Sequence, residues 1–419
     1  MLQALRFTAA CCLLAAGCAG AAEISISCSA LGRERDICRD GAQAWAGATG
    51  NSVRLVSTPN SASERLALYQ QLLAAHAADI DVLQIDVVWP GILADHVVDL
   101  APYAGARTRE HLPELVANDT VRGRLVAMPW FADVGLLYYR RDLLAKYGLD
   151  VPRSWSALGA AARRIQDGER AAGHASMWGY VWQGRAYEGL TCDALEWIAS
   201  HGGGRIVEPD GRISVDNPRA ARALAQAASW VGKISPRGVL NYAEEEARGV
   251  FQSGDAAFMR NWPYAWALAE APGSPVAGRI GVAPLPAGAG GTSAGALGGG
   301  QLAVSRYSKH RRLAADLVMY LTGRAEQRRR ALAGGFIPTI PALYDDPEVR
   351  RAIPFLDVGA QALARAVARP AAVTGTRYNR VSAAFWNAAH AVLAGEADPA
   401  TALGSLERRL LRISRGGHW

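Results

Sequence analysis

The chain has 419 residues, half of them hydrophobic and 20% charged, which excludes a disordered or fibrous polymer and gives enough length for two or three packed domains. Its net charge is +7, yet 42 of its 45 basic residues are arginine and they are scattered, so the charge reflects composition and not a nucleic-acid footprint. Tryptophan is frequent, at 12 against 7 phenylalanines; an indole needs a partner for its N–H and suits a ligand with an apolar face and polar edges.

Residues 1–22 form a leader. Arg6 precedes an apolar run at 7–16, and small residues follow, as in a secretory signal. The run is shorter than the ~20 residues that span a bilayer. Two processing routes compete. Ala15-Ala16-Gly17-Cys18 is similar to a lipobox, although Ala15 sits where leucine is usual, and would put a lipid on Cys18. Ala19-Gly20-Ala21 is an Ala-x-Ala site that would release the chain. Either way the mature protein is expected to be periplasmic or otherwise exported. Cys11, Cys12 and Cys18 belong to the leader. Beyond it, Cys28 and Cys38 either pair or pack as small apolar residues, Cys192 is left over, and the spacing gives no zinc pattern.

Strands and helices then alternate. The pattern predicts strands at 24–29, 53–57 and 81–88, a helix at 32–47, and a helix to about residue 77 opened by the capping-box letters Ser61-Ala62-Ser63-Glu64. This βαβαβ order predicts a parallel sheet flanked by helices. Strands at 125–128 and 135–139 surround a turn-like break at 129–133. Helical spacing follows at 141–147, 155–166, 191–201, 218–233 and 242–251. Strands at 280–283 and 301–305 flank a flexible Gly/Ala stretch at 287–300, and the remainder reads as helical. Two α/β lobes joined by more than one short crossover fit this order.

Three features bear on chemistry. Aromatic residues cluster in polar-flanked runs: Pro129-Trp130-Phe131-Ala132-Asp133, Trp178-Gly179-Tyr180-Val181-Trp182-Gln183-Gly184, and Asn261-Trp262-Pro263-Tyr264-Ala265-Trp266. A pyranose ring stacks its C–H face on such rings while carboxylates and arginines bond its hydroxyls; buried core tryptophan is the structural alternative for each one. Asp86 and Asp133 end apolar runs, where open sheets bind ligands, although Asp86 also suits a helix cap. Catalytic and metal signatures are missing: no P-loop, no His-Glu-x-x-His, and eight isolated histidines, so no metal or cofactor is expected. Gly291-Thr292-Ser293-Ala294-Gly295 has the letters of a nucleophile elbow but lacks the strand and helix that motif needs. Glu244-Glu245-Glu246 reads as the solvated start of a helix.

The stretch Gly249-Val250-Phe251-Gln252-Ser253-Gly254-Asp255-Ala256-Ala257-Phe258-Met259, followed by Arg260-Asn261-Trp262-Pro263, resembles the signature of extracellular solute-binding proteins of ABC importers, the maltose-binding-protein-like class. Residues 81–89, 129–140, 178–189 and 377–398 look like its trehalose- and maltose-binding members. The resemblance implies a two-lobed periplasmic-binding fold of the class II type, with lobes 23–132 plus 282–335 and 133–281 plus 336–419, closing on a sugar. It further implies Glu34, Asp86, Asp133 and Arg369 as polar ligands, Trp262 and Tyr264 as stacking residues, and Gly299 as a close backbone approach. Phe131, Trp182, Tyr378 and Ser61 are weaker carry-overs. Gly300 stands where similar proteins often carry tryptophan, which would widen the pocket. The expected function is capture of an α-glucoside disaccharide by a monomer, without cofactor or nucleic acid, for delivery to an ABC permease. The alternatives are an exported glycoside hydrolase using Asp86 and Asp133, and a binder of another solute such as a polyol, amine or oligosaccharide.

Overall fold

The computed structural model describes residues 21–419; the leader, with Cys11, Cys12 and Cys18, lies outside them except for its last two residues. The strands are β1 (Glu23–Cys28), β2 (Ser52–Ser57), β3 (Val82–Asp86), β4 (Thr120–Val121), β5 (Arg124–Leu125), β6 (Met128–Val134), β7 (Leu136–Arg140), β8 (Trp178–Val181), β9 (Ala256–Asn261), β10 (Ile280–Pro284) and β11 (Leu297–Val304). They build a five-stranded sheet in the order β2-β1-β3-β11-β6, a four-stranded sheet in the order β10-β7-β9-β8, and a small β4-β5 hairpin. Within the first sheet β1 runs parallel to β2 and β3, and β11 runs antiparallel to β3 and β6. Helices flank both sheets, which makes this the two-lobed α/β architecture expected above.

In the first βαβαβ unit β1 and β3 are buried on both faces, while β2, at the sheet edge, is only partly covered. Ile24 and Ile26 are fully buried, and the intervening serines are also inside, with Ser25 Oγ donating to Asp81 Oδ2 at 2.7 Å. The helix Ala62–Ala74 is capped as its letters indicate: Ser61 Oγ accepts the Glu64 N–H at 3.4 Å. The helix Glu34–Thr49 is pinned near its N-terminus by a Cys28–Cys38 disulfide, and Cys192 is unpaired and buried.

The structure departs from the expected pattern where the two lobes meet. Residues 129–133 are not a break but the middle of β6, an edge strand, where Pro129 needs no ladder donor. The glycine-rich stretch is not all loop either, since Leu297–Val304 forms β11 between β3 and β6. β9 goes unrecognised in the sequence because Arg260 and Asn261 interrupt its apolar run, yet all six of its residues are buried. The expected lobe boundaries at 132/133 and 281/282 fall inside strands; the chain changes sheet at Gly135 and again between residues 284 and 297. Beyond the helix Arg324–Gly334 it returns to the second lobe, where Tyr378–Leu393 and Pro399–Ile413 share a core with Glu188–Ser200.

Candidate functional site

Where the sheets face each other lies a cleft of about 90 Å³, partly open to solvent. Its walls come from both lobes. The first supplies Glu34 at a helix start, Asp86 at the end of β3, Phe131 and Asp133 from β6, and the β11 backbone at Gly298, Gly299 and Gly300. The second supplies Glu188 and Glu244, each the first residue of a helix, with Trp262, Tyr264 and Arg369.

Hydrogen bonding sorts the carboxylates into committed and available groups. Arg369 donates to Asp86 at 2.8 Å and to Glu188 at 2.7 Å, so one buried guanidinium joins acids from two lobes. Tyr378 and Ser382 also donate to Glu188. Glu34 accepts from Gln84 at 2.7 Å and lies 3.6 Å from Arg330. Asp133 has no such support: its Oδ1 is buried without a partner. Burial, reinforced by the nearby Glu34 and Asp86, pushes its carboxyl well above the usual range. Asp133 Oδ1 is therefore an unpaired polar atom on the cleft wall, free to meet a ligand hydroxyl.

The aromatic walls are set by packing. Trp262 is half-buried, with the Arg260 guanidinium 3.9 Å from its ring centroid. Tyr264 donates to Glu245 at 2.7 Å, which fixes its ring edge. A Cβ at Gly298 would come within 2.9 Å of the Trp262 ring, and one at Gly300 would overlap the Phe131 ring. Gly300 therefore does not leave an open gap. Phe131 covers the place where a side chain would stand, packed 5.0 Å from Phe336. Gly299, at φ 133°, adopts a conformation that disfavours other residues, and its carbonyl accepts the Val87 N–H.

The cleft is drawn together by polar contacts across its mouth. Glu188 N donates to Ser63 Oγ at 3.2 Å and Arg185 to Glu64 at 3.0 Å. The geometry is that of two lobes closed over a small polar chamber.

The comparisons agree with that geometry. The family model for bacterial extracellular solute-binding protein matches residues 39–328. The chain belongs to that family. A relative from Deinococcus radiodurans, named a probable ABC transporter-binding protein, is 52% identical over 97% of this chain and 96% of its own. Maltose-bound MalE3 of T. maritima superposes with a TM-score of 0.89 at 37% identity, over 94% of this chain and 100% of that one. An Agrobacterium vitis solute-binding protein holding D-mannitol has a TM-score of 0.82 over 95% and 99% of the two chains; at 20% identity it speaks to the fold alone. The family is one of binding proteins, so it weighs against the hydrolase alternative.

In this solute-binding protein, eight of the expected ligand residues line one cleft: Glu34, Asp86, Phe131, Asp133, Trp262, Tyr264, Gly299 and Arg369. Three do not. Trp182 is fully buried, packs edge-on against Trp197 at 5.0 Å and donates to Ser235, so it is a core residue. Ser61 spends its hydroxyl on the helix cap. Tyr378 stands behind Glu188 and orients it. Glu188 and Glu244 line the same cleft, although the sequence motifs do not single them out. Glu188 opens a helix just after an aromatic Gly turn, a signal the sequence does carry; the Glu244-Glu245-Glu246 run looks in sequence like any solvated helix start.

Proposed function

We propose that the chain is the exported, sugar-capturing component of an ABC importer. In this reading it binds an α-glucoside disaccharide, trehalose or maltose, between its lobes and presents it unaltered to a membrane permease as a monomer. Export follows the leader, with or without a lipid on Cys18. The observation that carries the proposal is the presence of a half-buried indole, Trp262, and the unpartnered Oδ1 of Asp133 on the walls of one cleft. The indole offers an apolar face to a sugar ring, and the carboxylate re-pairs hydroxyls that lose water on entry. The likeness to maltose-bound MalE3 supports the same class of ligand.

The test is a thermal-shift screen with trehalose, maltose, sucrose, longer maltosides and mannitol, followed by calorimetry on those that raise Tm. Trehalose or maltose should give the largest shift and be recovered intact. A shift with mannitol alone, or glucose released from either disaccharide, would overturn the reading.

A further inference from the structure

Beneath the cleft lies a buried charged cluster. Arg260 is 1% exposed, and Asp193 and Glu196 are fully buried. Arg260 Nε lies 3.0 Å from Asp193 Oδ1 and 3.0 Å from Glu196 Oε2, and Nη2 donates to Glu196 Oε1. Nη1 donates to Gln183 Oε1 at 3.1 Å, and the Gln183 amide returns a bond to the Arg260 carbonyl. Two acids and one base are thus held in the interior. Replacing such clusters with apolar side chains is often neutral or stabilising, so stability alone is a weak reason for this one.

Its two outward contacts are informative. The flat guanidinium lies 3.9 Å from the Trp262 ring centroid, so the indole that walls the cleft rests on Arg260. Glu196 Oε1 also accepts the N–H of Ala296, the residue just before β11, at 3.0 Å. At Gly135, where the chain changes sheet, a Cβ would overlap that same oxygen and sit 2.8 Å from Arg260 Nη2. Two of the three crossings between the lobes therefore run against the cluster that supports the indole.

We propose that Arg260 is a positioning residue for ligand binding, holding the Trp262 ring at its angle in the cleft and referring that angle, through Glu196, to those two crossing segments. Arginine suits this role where lysine does not. Its plane stacks on the ring while its edge serves two carboxylates, and it stays charged. This proposal rests on the sugar-binding reading for its ligand, but the ring geometry it describes exists without one.

The test uses two variants, because removing Arg260 alone would leave two acids buried and unpaired. One is Arg260→Lys; the other is the charge-neutral triple Arg260→Met/Asp193→Asn/Glu196→Gln. Maltose affinity is measured by calorimetry in each, with and without Trp262→Ala. A positioning role predicts at least a tenfold loss with Trp262 present and no further loss once Trp262 is gone. A merely structural role would lower Tm and leave affinity unchanged, or give losses that add; either result overturns the proposal. A second readout needs no ligand. Acrylamide quenching of Trp262 emission, isolated by subtracting each protein's Trp262→Phe counterpart, should rise in both variants. Unchanged quenching overturns the proposal even if the wild-type chain binds no maltose, an outcome that by itself would defeat only the sugar reading.

Discussion

Arg369 and Asp86 lie 2.8 Å apart, with Asp86 at the end of a first-lobe strand and Arg369 also bonded to Glu188 of the second lobe. Opening the cleft must separate one of these pairs or carry Arg369 along with one partner. Arg369→Ala leaves two carboxylates facing each other without a cation. Breaking a buried pair in this way costs about 3 kcal/mol or more. The expected result is a lower Tm and at least a hundredfold weaker binding of the sugar found in the screen. Arg369→Lys keeps the charge but cannot fork to both acids, so calorimetry should place it between wild type and alanine.

Asp133 and Trp262 should behave differently from Arg369. Neither anchors the fold: Asp133 lacks a partner at Oδ1 and Trp262 is half-buried. Asp133→Ala and Trp262→Ala are expected to weaken disaccharide binding about a hundredfold while moving Tm by only a few degrees. Asp133→Asn relieves the burial of a carboxyl and should leave stability unchanged or slightly higher. Affinity retained in either alanine variant would remove these residues from the site.

Much of this arrangement is legible in the sequence, and the failures have physical causes. Asp86 and Asp133 end apolar runs, and the arrangement of strand ends in an α/β sheet puts such residues at a cleft. Trp182 misleads because a polar-flanked aromatic run looks alike whether its rings face a ligand or a neighbouring core. Only the packing against Trp197 separates the two cases. The stretch 297–300 misleads for a related reason. Glycines read as flexible in isolation, but here their missing side chains are occupied by Trp262 and Phe131 from other segments. Such long-range substitution has no local signature. The disulfide is intermediate: spacing alone leaves Cys28–Cys38 open, and the start of the second turn of Glu34–Thr49 brings the two sulfurs together.

The contact between Gly300 and Phe131 gives a paired prediction. A methyl group at position 300 overlaps the Phe131 ring, which is itself wedged against Phe336. Gly300→Ala should therefore destabilise the protein by about 1–3 kcal/mol, the usual cost of overpacking. Adding Phe131→Leu should recover most of that loss, and the two changes should be strongly non-additive in denaturant titrations. A Gly300→Ala protein as stable as wild type would show that the ring has somewhere else to go.

His111 supplies a pH dependence whose sign can be worked out. It is buried, its Nδ1 lies 2.8 Å from Thr339 Oγ1, and desolvation lowers its pKa to about 4. In the unfolded chain a histidine titrates near 6.5. Between those values the unfolded state binds more protons than the folded one, so stability rises with pH across the window. The contribution is complete above about pH 6.5 and is lost as pH falls toward 4, a difference of order 3 kcal/mol. Asp119 and Asp133 act in the opposite sense, because burial raises their pKa and favours their protonated folded forms. The raw stability profile mixes these effects, and the informative quantity is the difference between wild type and His111→Gln. Urea unfolding of both proteins from pH 4.5 to pH 7.5 should show wild type gaining on the variant as pH rises to 6.5 and no further change above it. A difference that stays flat across that range would mean that His111 titrates in the folded protein as it does in the unfolded chain.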